Sequence, residues 1–418
     1  MLRVLAASFV SPGQSFPVVG IALELQRRGH DMAYWAPAGS DGVMKSFGLP
    51  TVHAGRWRGG PSAGAGQARE LPDGIEATVA ALAAIYLDRL DGQLAEFGAV
   101  LEDVRPDIVL AGSMVVGMLL AAEAAGVPCA SVTPTTYHAD GAPGTPPPLL
   151  GLDPRTDDIA APSRVWHHAE GPLLDQLAHA RAGLDLPPRA GGFFAHLSSP
   201  DLHLVPSTPL LELPRDPVPA HVHYVGPCAV DAASQFHGLG EPPDWTPARP
   251  AALVTGGTVM QGSDFVGEVT AALRDSLTVV ALTWMYDADR LHDPPSVLAT
   301  RYLPMARVLP DVDVVVSNGG SGGVIAALAH GRPLVIAPGH SDQGDNAVRV
   351  AAAGVGVRSD RDPRAIKEAV DEVLGDPSYA ARAREMGADL RARGGAGAAA
   401  DLIEGLASGG TVVPGRRS

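Results

Sequence analysis

Short apolar runs, each followed by an apolar stripe at helical spacing, recur along most of the chain. Residues 2–10 form the first run, and a polar stretch with two prolines, 11–17, predicts a loop after it. In 18–28 the apolar positions Val19, Ala22, Leu23 and Leu25 share one helical face. Arg27 and Arg28 suit the end of that helix, Gly29 is placed to close it, and 32–36 is apolar again. Strand, helix, strand in that order predicts a parallel sheet near residue 2. The same reading predicts strands at 107–110, 128–132 and 202–205, with helices at 75–104, 114–125 and 173–183. The glycine-rich 56–69 and the proline-rich 140–162 have no period and predict surface loops.

Proline crowds 206–250, which ends in GEPPDWTPARP, and the alternation restarts at 251. The chain therefore divides into an N-terminal unit (1–230), a linker (231–250), a second unit (251–395) and a last helix with a polar tail (396–418). In the second unit, strands are predicted at 251–255, 277–283, 314–316 and 334–337. Helices are predicted at 265–273, 324–330, 363–374, 379–393 and 397–407. The predicted class is α/β, with two Rossmann-like parallel sheets facing across a cleft. Ligands of such sheets bind beyond the C-terminal strand ends. The run 314–316 breaks at the turn Asn318-Gly-Gly-Ser-Gly-Gly323, whose bare N–H groups open a helix and suit a phosphate. The turn lacks the lysine of a P-loop.

Composition narrows the ligand. The 418 residues carry a formal charge of −15, and Lys45 and Lys367 are the only lysines. A nucleic-acid backbone is a poor partner for such a chain, so any phosphate must be held locally. No apolar run is long enough for a membrane span, and the start lacks a signal-peptide pattern, so a soluble cytoplasmic protein is expected. Cys129 and Cys228 are too few for a disulfide framework and read as buried thiols. His167 and His168, in a loop-rich stretch without a third ligand at metal spacing, read as a surface pair, and no metal site is expected.

The Asn318–Gly323 turn, Gly331-Arg-Pro333, Asp342-Gln343 and Asn346 together resemble the donor signature of the GT-B nucleotide-sugar glycosyltransferases. The likeness is nearer to bacterial antibiotic and macrolide glycosyltransferases. Arg105-Pro-Asp107, Ala124-Ala-Gly-Val-Pro128, Tyr224-Val-Gly-Pro227 and Arg301-Tyr-Leu-Pro304 agree with it in order along nearly the whole chain. The resemblance implies an inverting, metal-independent transfer from a thymidine- or uridine-diphosphate sugar, a co-substrate rather than a cofactor, to an apolar small molecule. It implies that Gly320, Ser321, Gly322 and Gly323 meet the diphosphate, with Gly257, Thr258 and Asn318 beside them. Leu303 and Met305 would meet the nucleobase by their backbone, and Asp342 and Gln343 the sugar hydroxyls. Gln14, Trp57 and Tyr137 are expected on the acceptor, and Phe193 and Phe194 line its pocket or pack in the core. A homodimer stays open.

Two departures bear on mechanism. The family's diphosphate-binding histidine is here Asn318, and the hydroxyl residue closing its motif is Gly323. Each neutral change is expected to weaken donor binding by roughly 1 kcal/mol. The catalytic histidine of the N-terminal loop is Gln14, which cannot act as a base near neutral pH, and its supporting acid is replaced by Gly112-Ser113. Three accounts stay open. Another base serves at the reacting centre beside Gln14, His138 first and His53 second; the acceptor ionises with little help; or the chain is a catalytically impaired, glycosyltransferase-like binding partner. His30 matches a structural position. A nicotinamide dehydrogenase fits less well, because no Gly-x-Gly-x-x-Gly follows the first strand and the second ends at Ala36-Pro37. A sugar-nucleotide epimerase would share the architecture but not the collinear motifs.

Overall fold

The computed structural model describes the chain apart from residues 10–11, 37–40, 56–73, 88, 134–136, 138–143, 214–217, 229, 231–245, 258–263, 285–286 and 410–418. Two sheets account for the strands, and every pairing within them is parallel. The first contains β1 (Arg3–Ala7), β2 (Asp31–Trp35), β3 (Thr51–Val52), β4 (Ile108–Gly112), β5 (Cys129–Val132), β6 (Leu202–Val205) and β7 (Val222–Tyr224), in the order β3-β2-β1-β4-β5-β6-β7. The second contains β8 (Ala251–Thr255), β9 (Thr278–Leu282), β10 (Val297–Thr300), β11 (Val314–Ser317), β12 (Leu334–Ile336) and β13 (Gly356–Arg358), in the order β10-β9-β8-β11-β12-β13.

Helices cover both faces of each sheet, which is why the central strands are apolar without alternation. Val4, Leu5, Ala6 and Ala7 are all fully buried, as are Val314, Val315 and Val316. In each sheet the chain reverses direction across the strand order beside its first strand, at β1/β4 and β8/β11. The two crevices so formed are where ligands of such sheets lie.

Several predicted elements change. The first helix is Pro12–Arg27, so the expected loop at 11–17 is helical from residue 12. Pro17 lies inside it, a defect of about 3 kcal/mol or more. Burial of Val18, Val19, Ile21 and Leu25, at roughly 1.5–3 kcal/mol for each large apolar side chain, outweighs it. The helix predicted over 75–104 is three pieces: Ile75–Leu82, a π-turn at Ala83–Leu87, and Leu90–Val104. Arg89, in left-handed geometry at φ 51°, turns the chain into the last piece. His167 and His168 belong to a helix, Ala160–Ala169, rather than a loop. His167 Nδ1 meets Glu170 Oε1 at 3.0 Å.

The last helix, Gly395–Ala407, leaves the second unit and packs on Pro12–Arg27. Ala399, Ala400 and Ile403 join the core built on Val4, Ala6 and Val18. Arg28 pairs with Asp401 at 2.7 Å and Glu404 at 3.0 Å. His30 bridges the Leu2 N–H (3.0 Å) and Glu404 (2.8 Å), a structural post as expected. Both cysteines are buried and unpaired, and burial pushes the Cys228 thiol up to about 12. Among the described residues no helix is long and apolar enough to cross a membrane.

Candidate active site

The turns after β8 and β11 lie side by side, because those strands are neighbours. Asn318, 3% exposed, joins them. Its Nδ2 donates to the Gly256 carbonyl at 2.6 Å, and its Oδ1 accepts the Gly320 N–H at 3.3 Å. The Asn318 amide, expected on the phosphate side, braces the two turns through these two bonds. Gly319 follows at φ 88°, and a Cβ there would fall 2.6 Å from Ile336 Cγ2, so the bend requires glycine.

The helix Ser321–Ala329 then begins with no side chain capping it. Its first N–H groups, on Ser321, Gly322 and Gly323, have no acceptor within the helix. With no bulky side chain in that turn, that end suits an anion. Gly257 lies across from Asn318, while Thr258 is outside the described residues.

Asp342 and Gln343 reach this turn from the loop after β12. The Ser321 hydroxyl, expected on the diphosphate, donates to Asp342 Oδ2 at 2.7 Å. Asn346, 1% exposed, sends its amide to the Gly319 carbonyl (2.8 Å), Ser321 Oγ (3.0 Å) and Asp342 Oδ2 (3.2 Å). Both side-chain bonds to Asp342 land on Oδ2, and Oδ1 accepts none from another residue among those described. Burial raises the Asp342 carboxyl, with the Ser321 and Asn346 hydrogen bonds working against that shift. Although Asp342 stands at the N-cap of the helix Gln343–Ala352, its side chain does not cap it. Its Oδ2 is instead shared by the Ser321 hydroxyl of the turn and the Asn346 side chain. Gln343 Oε1 accepts the N–H groups of Gly339 (2.9 Å) and His340 (3.2 Å), holding the approach loop.

Leu303 and Met305 follow β10, two strands from β8 and so about 10 Å across the sheet. Leu303 is buried against Val308 and Leu309, leaving its backbone as the part that a base could meet. Trp284 and Tyr302 stand beside them edge to face, centroids 6.3 Å apart. Trp284 is held at φ 53° with its N–H on the Arg301 carbonyl (2.9 Å). The sequence reading passed over this pair, whose aromatic residues lie 18 positions apart.

Across the cleft, the described residues Ser8, Gln14 and Ser113 at the β1/β4 crevice are uncharged. Ser8 follows β1, bonded to the Tyr34 hydroxyl; Ser113 follows β4 and is buried; Gln14 lies half-buried in the first turns of its helix. These three residues carry neither a carboxylate nor an imidazole. His53, the second candidate base, is exposed after β3, two strands from β1. His138, the first, and Trp57 lie outside the described residues. The Tyr137 ring rests on His203 (5.4 Å), and its N–H donates to Glu212 Oε1 (3.0 Å). His203 is buried on Ser131 Oγ (2.7 Å), and burial pushes it down to about 3, so it is a neutral core residue.

Phe193 is fully buried and Phe194 partly so, in a helical cluster with Trp166 and Tyr86. Phe193 is thus core. Tyr86 is the residue the sequence concealed. It sits in the π-turn, 8% exposed, its ring edge-on to Phe193 at 5.5 Å. Gln93 and Gln176 hold the Tyr86 and Leu87 carbonyls (3.1 and 3.2 Å). Burial, then the charge of Asp342, raise its phenol.

Among the described residues, no group of three or more His, Cys, Asp or Glu is placed to hold a metal ion. Residues 268–404 match the family model described as erythromycin biosynthesis protein CIII-like, C-terminal domain. The chain is 30% identical to 4'-demethylrebeccamycin synthase of Lentzea aerocolonigenes, over 97% of this chain and 99% of that protein. The calicheamicin glycosyltransferase CalG4 superposes with a TM-score of 0.75 at 21% identity, covering 99% of this chain and 100% of that one. The glycosyltransferase VinC, solved in complex with DTDP, does so at 0.70 and 20% identity, covering 98% and 100%.

Proposed function

Because the chain belongs to the GT-B natural-product glycosyltransferases, enzymes that use a nucleotide sugar, we propose that it inverts the anomeric centre it transfers and needs no metal. The observation that carries this reading is the Asp342 carboxylate, fixed through Oδ2 beside an uncapped helix end and open at Oδ1. A sugar hydroxyl donating to Oδ1 sets the ring with its diphosphate toward the N–H groups of Ser321, Gly322 and Gly323. The acceptor enters from the β1/β4 side, on the face opposite the diphosphate. Its nucleophilic atom forms the new bond as the anomeric carbon–oxygen bond breaks, and the electron pair leaves on the nucleoside diphosphate. The helix end meets that developing charge, work that a metal performs elsewhere.

The neutral wall of Ser8, Gln14 and Ser113 favours an acceptor that ionises itself: an acidic phenol, a carboxylate or an activated carbon. General-base help is worth about 10²–10⁴-fold, so an acceptor with a low pKa loses least from its absence. A thymidine-diphosphate sugar is the donor proposed, supported by the thymidine diphosphate in the VinC complex. The test is titration with thymidine and uridine diphosphates, followed by their sugars with a panel of acidic and neutral acceptors. Binding of neither nucleotide overturns the reading. Nucleotide binding with no turnover and no slow donor hydrolysis assigns the chain as a binding partner instead.

A further inference from the structure

The helix Gln343–Ala352 carries Asp342 and Gln343 at its start, yet its next two turns face the other unit. Asp345, 6% exposed, accepts the Leu149 N–H at 2.7 Å and the Gly151 N–H at 2.8 Å. Both donors belong to the acceptor side of the cleft. Leu149 and Gly151 are left-handed, at φ 67° and 60°, and that geometry turns two nearby N–H groups onto one carboxylate. The backbones touch here: a Cβ on Gly151 would fall 2.9 Å from Gly344 Cα. Arg358 adds a bond to the Gly151 carbonyl at 2.8 Å.

One turn further along the same helix, Arg349 Nε donates to Glu212 Oε2 at 3.0 Å. The other oxygen of Glu212 takes the Tyr137 N–H. Burial alone would lower the Arg349 guanidinium, but the charges of Glu212 and Asp345 hold it above its usual value. Tyr137 and Leu149–Gly151 are two feet of the segment that follows β5. Both rest on the donor-side helix, one through Arg349 and Glu212, the other through Asp345. Leu149 and Leu150 meanwhile pack into the cluster that contains Tyr86 and Phe193.

We propose that Asp345 is a positioning residue: it ties the acceptor-side strap at 149–151 to the helix that presents Asp342, so that the donor side sets the geometry of the acceptor side. The proposal rests on the functional reading above and extends it, because it assigns a role to a carboxylate outside the sugar contact. A buried carboxylate with two backbone donors has a fixed direction, which suits it to hold register rather than merely to attract. Occupancy of the nucleotide site, at the start of the same helix, should then be felt at the strap.

Amide hydrogen exchange of the whole chain, with thymidine diphosphate as the probe, tests this with Asp345→Asn and Gly151→Ala. In Asp345→Asn an amide group faces two N–H donors, and in Gly151→Ala the added methyl meets Gly344. Each is expected to speed exchange at Leu149 and Gly151 about tenfold while exchange in both sheets stays at wild-type rates. In the wild type, the nucleotide is expected to slow strap exchange at least threefold. In both variants that response should vanish, with nucleotide affinity kept within threefold. The double variant should be no worse than either single one, because both break the same contact.

Strap exchange unchanged in Asp345→Asn, or raised equally across both sheets, overturns the proposal, as does a nucleotide response equal in wild type and variants. A wild type that binds no nucleotide fails the functional reading, while the basal exchange comparison still judges the tie itself.

Discussion

Asn318 offers the sharpest test of how the donor turn is built. Asn318→Ala removes a donor to Gly256 and an acceptor for Gly320, at about 1 kcal/mol each. It also strands the part-buried Gly256 carbonyl, at a cost toward the low end of the roughly 1–3 kcal/mol of a buried orphan acceptor, less where water enters. The void is polar and about the size of an amide, so a water is expected to recover part of that cost. The net loss should be about 2 kcal/mol. Asn318→Asp should be worse, because a carboxylate would face the Gly256 carbonyl and would stand beside the bound diphosphate. Chemical denaturation with and without thymidine diphosphate, alongside calorimetric titration of the nucleotide, measures both consequences. The expected result is a lower unfolding midpoint and a nucleotide Kd raised about tenfold for alanine, more for aspartate. Midpoint and Kd both unchanged within error for alanine would falsify the brace. A tighter Kd would show that the amide obstructs the phosphate site rather than shaping it.

Asp342→Asn should lower kcat/KM about a hundredfold while the Kd of thymidine diphosphate alone stays within threefold; a parallel loss of nucleotide binding would place Asp342 on the phosphates instead. Gly319→Ala should weaken nucleotide binding more than tenfold, since its methyl would fall 2.6 Å from Ile336 Cγ2, and unchanged binding would refute the need for that bend. Acid should destabilise the fold. Burial holds His203 at about 3 and His196 at about 4, and it lowers His221 and His223. From about pH 6.5 down to those values the unfolded chain binds more protons, so stability falls with pH by about 1.4 kcal/mol per unit for each such histidine. Asp342 and Asp345, raised by burial, oppose this: their ionisation costs stability that protonation restores. A melting series from pH 7 to 4 should show the histidines winning, and His203→Gln should flatten the slope; a slope left intact by that variant would remove His203 as a cause.

Much of the fold was legible because a parallel sheet covered on both faces writes itself as repeated apolar runs. The runs at 251–255, 314–316 and 334–337 are strands in the structure, and Gly29 stands in left-handed geometry just after the helix it was expected to close, as Gly331 and Gly354 do after theirs. Strands of two to four residues at the sheet edges escaped. Thr51–Val52 and Gly356–Arg358 are too short for a period, Val222–Tyr224 lies among prolines, and Val297–Thr300 follows a proline pair. Pro17 hid the first turns of its helix, since sequence alone does not show how much apolar area the helix recovers. At the site, the types Asn318, Ser321 and Asp342 were found, but not that they bond to one another or to Gly256. Tyr86 and Asp345 were out of reach for a different reason. A π-turn and a contact spanning some 200 positions have no local signature; both depend on the two units being set face to face.

The return of Gly395–Ala407 to the first unit has a consequence for the order in which this protein is made. Val4, Val18 and Leu25 share a core with Ala399, Ala400 and Ile403, so the first half cannot complete its interior while the second half is still being synthesised. During translation that face of Pro12–Arg27 waits, uncovered, for nearly the whole length of the chain. Residues that leave the ribosome well before the last helix are therefore among the last to find all their neighbours. Truncation before residue 395 should harm the half of the molecule furthest from the cut.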